Sequence, residues 1–354
     1  MDFTFTEDQL LFAESIKDFL QNEVTPESIR ESWDSETGRS QDLWNKMVEL
    51  GLTGMLVPEA QGGLGMREID FVLIAQECGR VALPEPIVDT AMVVTPLLKD
   101  LVDKDPRCVS LLEKVATGET KVAIGHAAND LVSDAHIADY LLLTQGHQIH
   151  LLAKADVDLE AQQSVDPSRK LFAVKWEAND ETLLINGSDG VGLLAATLNR
   201  AAVGTAAQLL GLSEKMVEMT VQYTQDREQF GKPIGTNQAL KHHMANCAVK
   251  NEFAKAVLHR AAYTVTEKPV HGDFAVSHAK LAAGEAANLA AKNSIQCYGA
   301  MGYTWECDLH IFMKRAWALD KFWGHSGFHK YRLHQWLMNP NAKIGAEMTF
   351  GEQA

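Results

Sequence analysis

The feature that most constrains the fold of this 354-residue chain is a change in the pattern of apolar residues in its middle. From about residue 121 to 190 the sequence consists of short apolar or alternating runs that are typical of β-strands, whereas both flanks have helical spacing. The predicted strands lie at residues 122–124, 140–143, 147–152 and 171–174, and turns are predicted at 145–146, 166–167 and 186–187. The pattern predicts a small β domain inserted between two helical regions.

The flanking helices are predicted from the spacing of their apolar residues. Near the N-terminus these residues recur every three or four positions, at Leu10, Leu11, Ile16, Phe19 and Leu20. A further helix begins near Asp70 and ends before Pro84. After about residue 193, two long helices are predicted at 238–266 and 274–297, with alanine-rich faces that suit a tight bundle. We therefore predict a mainly α protein with domains at residues 1–120, 121–192 and 193–354.

Composition excludes several classes of protein. A formal net charge of −15 argues against nucleic-acid binding, which needs basic patches. The five cysteines lack C-x-x-C spacing, and we interpret them as reduced thiols of a cytoplasmic protein. The N-terminus is acidic and has no long apolar run, so neither a signal peptide nor a membrane span is expected. No metal site is predicted, because the histidines lack partners at ligand spacing, including those at 242, 243, 325, 329 and 334.

Two segments supply groups that suit a dinucleotide. In residues 226–235, Arg227 offers a charged fork for phosphate oxygens and Phe230 an apolar face for an adenine ring, with Gln229 between them. In residues 296–303, Gln296 can hydrogen-bond a ribose or an amide edge. Gly299 and Gly302 permit close approach of a backbone to a phosphate. Alone, the arginine segment is equally typical of a solvated helix end, and the glycine segment is more often a helix cap or a turn. Their order in a helical chain favours a cofactor site.

Together the two segments resemble those of the acyl-CoA dehydrogenase family, flavoenzymes that desaturate acyl-CoA thioesters between the α and β carbons. The likeness extends over most of the chain and is weakest in the middle. It includes the segments at residues 1–9, 49–52, 57–59, 62–65, 302–306 and 314–316. The resemblance implies FAD as the cofactor. It also implies an N-terminal helical domain, a middle β-barrel-like domain and a C-terminal four-helix bundle.

The resemblance also implies a subunit arrangement. In that family the bundle builds a dimer of dimers, and the two segments reach the FAD of a neighbouring subunit. The residues that would contact FAD in this way are Arg227, Gln229, Phe230, Gln296, Gly299 and Gly302. Ala300 stands where the family usually has a second glycine.

The chain departs from the family at the catalytic base. The reaction removes an α proton, and the family uses a glutamate at one of two positions, which here are Asn199 and Trp323. Neither side chain is a useful base. His325 is a nearby candidate, because an unperturbed imidazole titrates near neutral pH, although a surface or interface histidine is the alternative. Asp320 and Glu306 lie off the matching positions.

The middle domain is also reduced. Where the family has a "T-E-P-x-x-G-S-D" loop that cradles the flavin ring, residues 124–131 contain neither Thr-Glu-Pro nor Gly-Ser. The half-site that the family donates to a neighbour is therefore retained, and the half that each subunit keeps for itself is lost.

The leading hypothesis is a subunit of a heteromeric acyl-CoA dehydrogenase, of the type that acts on CoA thioesters of steroid side chains and other bulky acids. Its expected partners are a homologous subunit, an acyl-CoA thioester and an electron-transferring flavoprotein. Three alternatives stay open: a self-sufficient homotetramer with an unusual base, a non-catalytic structural subunit, and an acyl-CoA oxidase. The acyl group is not readable from the sequence.

Overall fold

A computed structural model describes residues 4–267, 272–340 and 342 of the chain. The first residues of the predicted opening motif, 1–3, and residues 268–271, 341 and 343–354 lie outside the described part. The N-terminal region is helical, as predicted. Its α-helices are α1 (Glu7–Glu23), α2 (Pro26–Asp34), α3 (Gln41–Glu49), α4 (Glu68–Arg80), α5 (Ile87–Asp89), α6 (Thr95–Leu101) and α7 (Arg107–Ala116). A π-helical turn, Thr90–Val94, joins α5 to α6.

The β region contains two small sheets. The first has strand order β1-β3-β4-β7, from Val122–Gly125, Tyr140–Gln145, Gln148–Ala153 and Leu183–Ile185. The second has strand order β2-β6-β5, from Val132–Ser133, Leu171–Lys175 and Asp158–Gln162. Strands β1 and β3 are parallel, and the other pairs in these sheets are antiparallel. The four predicted strands are confirmed, and the predicted barrel-like domain takes the form of two separate sheets.

The C-terminal region is a helical bundle, as predicted. Its helices are α8 (Gly187–Asp226), α9 (Gln238–Glu267), α10 (Gly272–Tyr298), α11 (Leu309–Lys321) and α12 (Ser326–Leu337). Helix α8 begins six residues before the predicted boundary at 193. The turn predicted at residues 186–187 is instead the start of this helix, because the Asn186 side chain accepts a hydrogen bond from the backbone of Gly187.

Close packing between α4 and α8 depends on two glycines. A Cβ on Gly211 would lie 1.9 Å from the carbonyl oxygen of Gln76, and a Cβ on Gly79 would lie 2.1 Å from that of Gln208. Both distances are shorter than any real contact, so the two helices touch backbone to backbone. This crossing fixes the N-terminal helices against the bundle.

One hydrophobic core runs from the N-terminal helices through the bundle, and a smaller cluster lies between the two sheets. The β region is also tied to both helical regions by buried ion pairs. Arg39, which follows α2, bonds Asp134 at 2.5 Å, and Arg315 of α11 bonds Asp166. In the described part of the chain, no helix combines the length and apolar character needed to cross a bilayer. Within the same residues, no group of three or more His, Cys, Asp or Glu side chains could hold a metal ion.

Candidate cofactor and substrate site

The first predicted segment folds as a hairpin that projects from the end of α8. Its strands are β8 (Glu228–Gln229) and β9 (Lys232–Pro233), and its two turn residues, Phe230 and Gly231, have φ of 55° and 77°. Positive φ at both residues is the requirement of a type I′ turn, which Gly meets freely and a bulky residue meets at a cost. The Phe230 side chain is fully exposed, at 101%.

The predicted phosphate fork, Arg227, is held by its backbone and free at its side chain. Its N–H donates to the carbonyl of Tyr223 at 2.9 Å, and its carbonyl accepts from Ile234 at 2.8 Å. Among the described residues, the exposed guanidinium has neither a hydrogen bond nor an ion pair. Gln229 is also exposed, and its amide bonds the backbone carbonyl of Glu228.

The second predicted segment follows α10, and its two glycines have different roles. Gly299 has φ of 60° and open space around the position of a Cβ. Gly302 is buried, and a Cβ there would lie 3.0 Å from the side chain of Ile295, so this glycine is needed for packing. Gln296 is exposed, as a ligand contact in an assembled protein requires.

A tyrosine pair brings the two segments together. Tyr223, one turn before Arg227, stacks on Tyr298, the residue before Gly299, with ring centroids 4.0 Å apart and 10° between the planes. The Tyr223 hydroxyl also donates to the Tyr298 carbonyl at 3.4 Å. The ends of α8 and α10 therefore present both segments on the same end of the bundle.

An open groove of 440 Å³ lies beside the hairpin. It is lined by Val221, Thr224, Gln225, Pro233, Gly235, Thr236, Leu240, Lys241 and Met244. Pro233 of the hairpin lines this groove, so the hairpin and the groove form one exposed surface. The structure thus places five of the six predicted cofactor residues on the outside of the chain, whereas Gly302 is buried.

The first family base position holds a structural amide. Asn199 is buried in α8, where its amide donates to Asp273 and its oxygen accepts from Arg332, both at 2.8 Å. Asp273 and Arg332 also pair with each other at 2.5 Å. With both ends of its amide used, Asn199 links α8 to α10 and α12 and has no basic group to offer.

The second family base position, Trp323, is wholly buried and has φ of 55°. Its backbone N–H donates to Asn129 at 2.7 Å and its indole N–H donates to Asp89 at 3.3 Å. Its indole also lies 5.5 Å from the ring of His126. Asn129 and His126 belong to the 124–131 segment, so the loop at the family's base position contacts the loop at its flavin-cradle position directly.

His325, the candidate base predicted from the sequence, is exposed and caps α12. Its Nδ1 accepts hydrogen bonds from the backbone of Gly327 at 3.1 Å and of Phe328 at 3.3 Å. The lone pair on Nδ1 is therefore occupied by the cap.

Asp89 is an acid that the sequence reasoning missed. It is the last residue of α5 and is half-buried beside the π-helical turn, and burial raises its carboxyl pKa to about 6, with Arg169 acting in the opposite direction. The signal that could have found it is a lone carboxylate in the apolar run Ile87–Val94. Small cavities of 20 and 40 Å³ adjoin its carboxylate.

Two family models match the chain: the acyl-CoA dehydrogenase N-terminal domain over residues 6–101, and the acyl-CoA dehydrogenase C-terminal domain over residues 188–338. The chain belongs to the acyl-CoA dehydrogenase family, whose members are FAD-dependent oxidoreductases that act on acyl-CoA thioesters. Residues 102–187, which include most of the reduced β region, lie between the two matches.

Among its relatives is the acyl-CoA dehydrogenase IpdE2 of Mycobacterium tuberculosis (strain ATCC 25618 / H37Rv), which is 30% identical. The match covers 88% of this chain and 91% of IpdE2. FadE34 of the same organism is also 30% identical, but the match covers 81% of this chain and only 41% of FadE34.

Solved structures share the fold. Glutaryl-CoA dehydrogenase in complex with glutaryl-CoA superposes with a TM-score of 0.83 at 20% identity, covering 98% of this chain and 99% of that chain. The ChsE4–ChsE5 complex of Mycobacterium tuberculosis also gives 0.83, at 21% identity, covering 97% and 100%. These structures bear out the predicted fold, and the family models and the IpdE2 match bear out the predicted family and its FAD cofactor.

Proposed function

We propose that this chain is the subunit without a catalytic base in a heteromeric acyl-CoA dehydrogenase, and that it completes the FAD site of a partner subunit. The observation that carries the proposal is the outward-facing surface at the end of α8 and α10. The fully exposed Phe230 ring has no packing role within the chain, and the Arg227 guanidinium is free of protein partners among the described residues, so both are available to a dinucleotide held by another chain.

These residues fit the pyrophosphate and adenine half of FAD. The guanidinium of Arg227 can pair with phosphate oxygens, and the Phe230 ring can stack on adenine. Gly299 leaves room for a phosphate to approach the backbone. The flavin itself, when bound, accepts the hydride from the substrate β carbon.

The α proton must then be removed by a group outside this chain's two family base positions. Asn199 is neutral and fully hydrogen-bonded, and Trp323 is buried with its indole N–H on Asp89. A positioned carboxylate with a tuned pKa is the usual solution to this proton transfer, so we assign that role to the partner.

The comparisons support a heteromeric assembly and a bulky substrate. One solved structure with the same fold is a complex of two differently named chains, ChsE4 and ChsE5. Another, Tcur3481-Tcur3483, is described as a steroid acyl-CoA dehydrogenase and has a TM-score of 0.82 at 20% identity. We propose a homologous partner in a dimer of dimers, acyl-CoA thioesters of the steroid side-chain type as substrates, and an electron-transferring flavoprotein as acceptor. A cytoplasmic location stays a prediction from the sequence.

The experiment that tests this proposal is the substitution Arg227→Ala. The chain would be co-purified with an acyl-CoA dehydrogenase encoded beside it, and FAD would be counted by absorbance after release. We expect the complex to assemble and to lose most of its FAD, because one charge-assisted phosphate pair contributes about 1.5–3 kcal/mol, or roughly 10- to 100-fold in affinity.

The matched control is Arg67→Ala. Arg67 is also exposed, but it pairs with Glu267 at the far end of α9, which at 30 residues is about 45 Å long. FAD content should be unchanged in this control. Equal FAD content in the Arg227→Ala and control complexes would contradict the proposal.

A further inference from the structure

The indole of Trp323 occupies the space between two loops of this chain. One loop, residues 322–325, is at the position where related enzymes carry a base, and the other, residues 124–131, is at the position of their flavin cradle. Trp323 is the largest wholly buried side chain of the described residues, and it contacts Asn129 and His126 of the second loop. The two loops are therefore in contact through a side chain.

Several bonds hold this tryptophan in place. Asp89 accepts from its indole and Asn129 from its backbone N–H. Behind the loop, the buried His329 donates from Nε2 to the Trp323 carbonyl at 3.0 Å. The buried Lys280 ammonium bonds the carbonyl of Gly324 at 3.3 Å and two carbonyls at the end of α11.

The backbone of Trp323 is strained, which indicates that the surrounding contacts determine the position of this residue. A φ of 55° in a large residue costs on the order of 1–3 kcal/mol, and such conformations persist only where the surroundings determine them. The four bonds at Trp323 and the next residue supply that determination.

Among the described residues, the two cavities that adjoin Asp89 are too small for a cofactor or a substrate. The two cavities beside Asp89 measure 20 and 40 Å³, which is room for a water molecule or two. Pockets for cofactors and drug-sized ligands are roughly 300 Å³ or larger.

We infer that the Trp323 side chain closes this chain's own half-site, so that neither a flavin ring nor an acyl thioester can enter it. With the proposed function, on which this consequence rests, a pair of unlike chains would hold one FAD and one acyl-CoA, both centred on the partner. Asp89 acts as a positioning residue that fixes the indole.

The test is substitution of the tryptophan in the full chain, with indole as the probe. Trp323→Ala should lower Tm by roughly 5–10 °C, since removal of a buried Trp is among the costliest core changes. Indole at millimolar concentration should restore much of that loss and bind with a stoichiometry near one by calorimetry, as small apolar molecules do in engineered cavities. Wild type and the control Trp317→Ala, whose side chain is 41% exposed on α11, should bind no indole.

A second variant serves if Trp323→Ala does not fold. The difference in fluorescence between wild type and Trp323→Phe isolates the emission of Trp323, which should resist quenching by acrylamide in the free chain and in the FAD-loaded complex. An unchanged Tm with no indole binding in Trp323→Ala, or ready quenching of the Trp323 emission, would overturn the inference. Neither readout counts FAD, so the closure and the proposed function can fail independently.

Discussion

At the scale of single residues, Asp89 has the least expected environment. Its side chain is half-buried, and burial raises the pKa of its carboxyl group to about 6. Its hydrogen bond to the Trp323 indole is a contact that a carboxylate accepts better than a carboxylic acid. Burial and hydrogen bonding therefore favour different protonation states. The pH dependence of stability reports which effect dominates.

We predict that Asp89→Asn removes a loss of stability that wild type undergoes as pH rises. In wild type, the folded-state pKa of about 6 exceeds the ordinary value of 3.8, so the folded protein binds this proton more tightly than the unfolded chain. The contribution of Asp89 to the free energy of unfolding should thus fall as pH rises from about 4 to 6 and stay constant above that.

The measurement is denaturant unfolding of both proteins across this pH range. The difference curve cancels other titrating groups, including His329, whose pKa burial lowers to about 3. The variant should gain on the order of 2 kcal/mol relative to wild type between pH 4 and pH 7. The Asn side chain can still accept the hydrogen bond of the Trp323 indole, so the variant removes the titration and keeps this contact. If the free energies of unfolding of the two proteins changed in parallel with pH, Asp89 would not titrate with the predicted shift.

The sequence identified the residues of the outward surface but could not separate their roles. Gly299 and Gly302 are equivalent in a motif, yet one is open and the other packs against Ile295. Asp89 was missed because the role of this isolated acid depends on its hydrogen bond to Trp323, which is more than two hundred positions later in the sequence. Contacts of that kind depend on the tertiary fold.

At the scale of elements, the hairpin β8–β9 carries a conflict between folding and binding. Its turn needs positive φ at two residues, and one of them is Phe230, where glycine or asparagine would be favoured. An exposed phenylalanine in this conformation stabilises neither the turn nor the core. Under the proposed function, a contact with adenine in the assembled protein would offset this cost.

We predict that Phe230→Gly separates these two properties. The free energy of unfolding of the isolated chain should stay equal or rise by up to about 1 kcal/mol, because glycine relieves the αL strain but adds unfolded-state entropy. FAD affinity of the complex should fall roughly 5- to 150-fold, which corresponds to the loss of about 1–3 kcal/mol for a base–aromatic stack.

The measurements are chemical unfolding of the chain and fluorescence titration of the complex with FAD. Leu11→Ala is a suitable control, since Leu11 is 73% exposed on α1 and should not alter FAD affinity. Unchanged FAD affinity in Phe230→Gly would remove the adenine contact from the account.

Element prediction succeeded where periodicity is strong and failed where the signal is short. The long helices α9 and α10 and four strands follow directly from apolar spacing. The two-residue strand β2 has too few residues to show alternation. The start of α8 was misread because Asn-Gly is typical of turns, and here it caps a 40-residue helix.

At the scale of the whole molecule, the chain has one open and one closed half-site. The end of the bundle presents Arg227, Phe230 and Gly299 to the outside, and the junction of the three regions is filled by Trp323 and buried ion pairs such as Arg39–Asp134. In a subunit that holds its own FAD, that junction would instead be an open pocket. The asymmetry accounts for both what the family pattern retains here and what it lacks.

The most direct test of this account is the number of FAD molecules per chain. FAD would be counted in the chain purified alone and in the complex formed by co-expression with a neighbouring acyl-CoA dehydrogenase. The account predicts no FAD in the chain alone and about one FAD per two chains in the complex, because only one half-site of each pair is complete. A value near one FAD per chain in the protein purified alone would contradict it and would favour a self-sufficient enzyme with an unusual base.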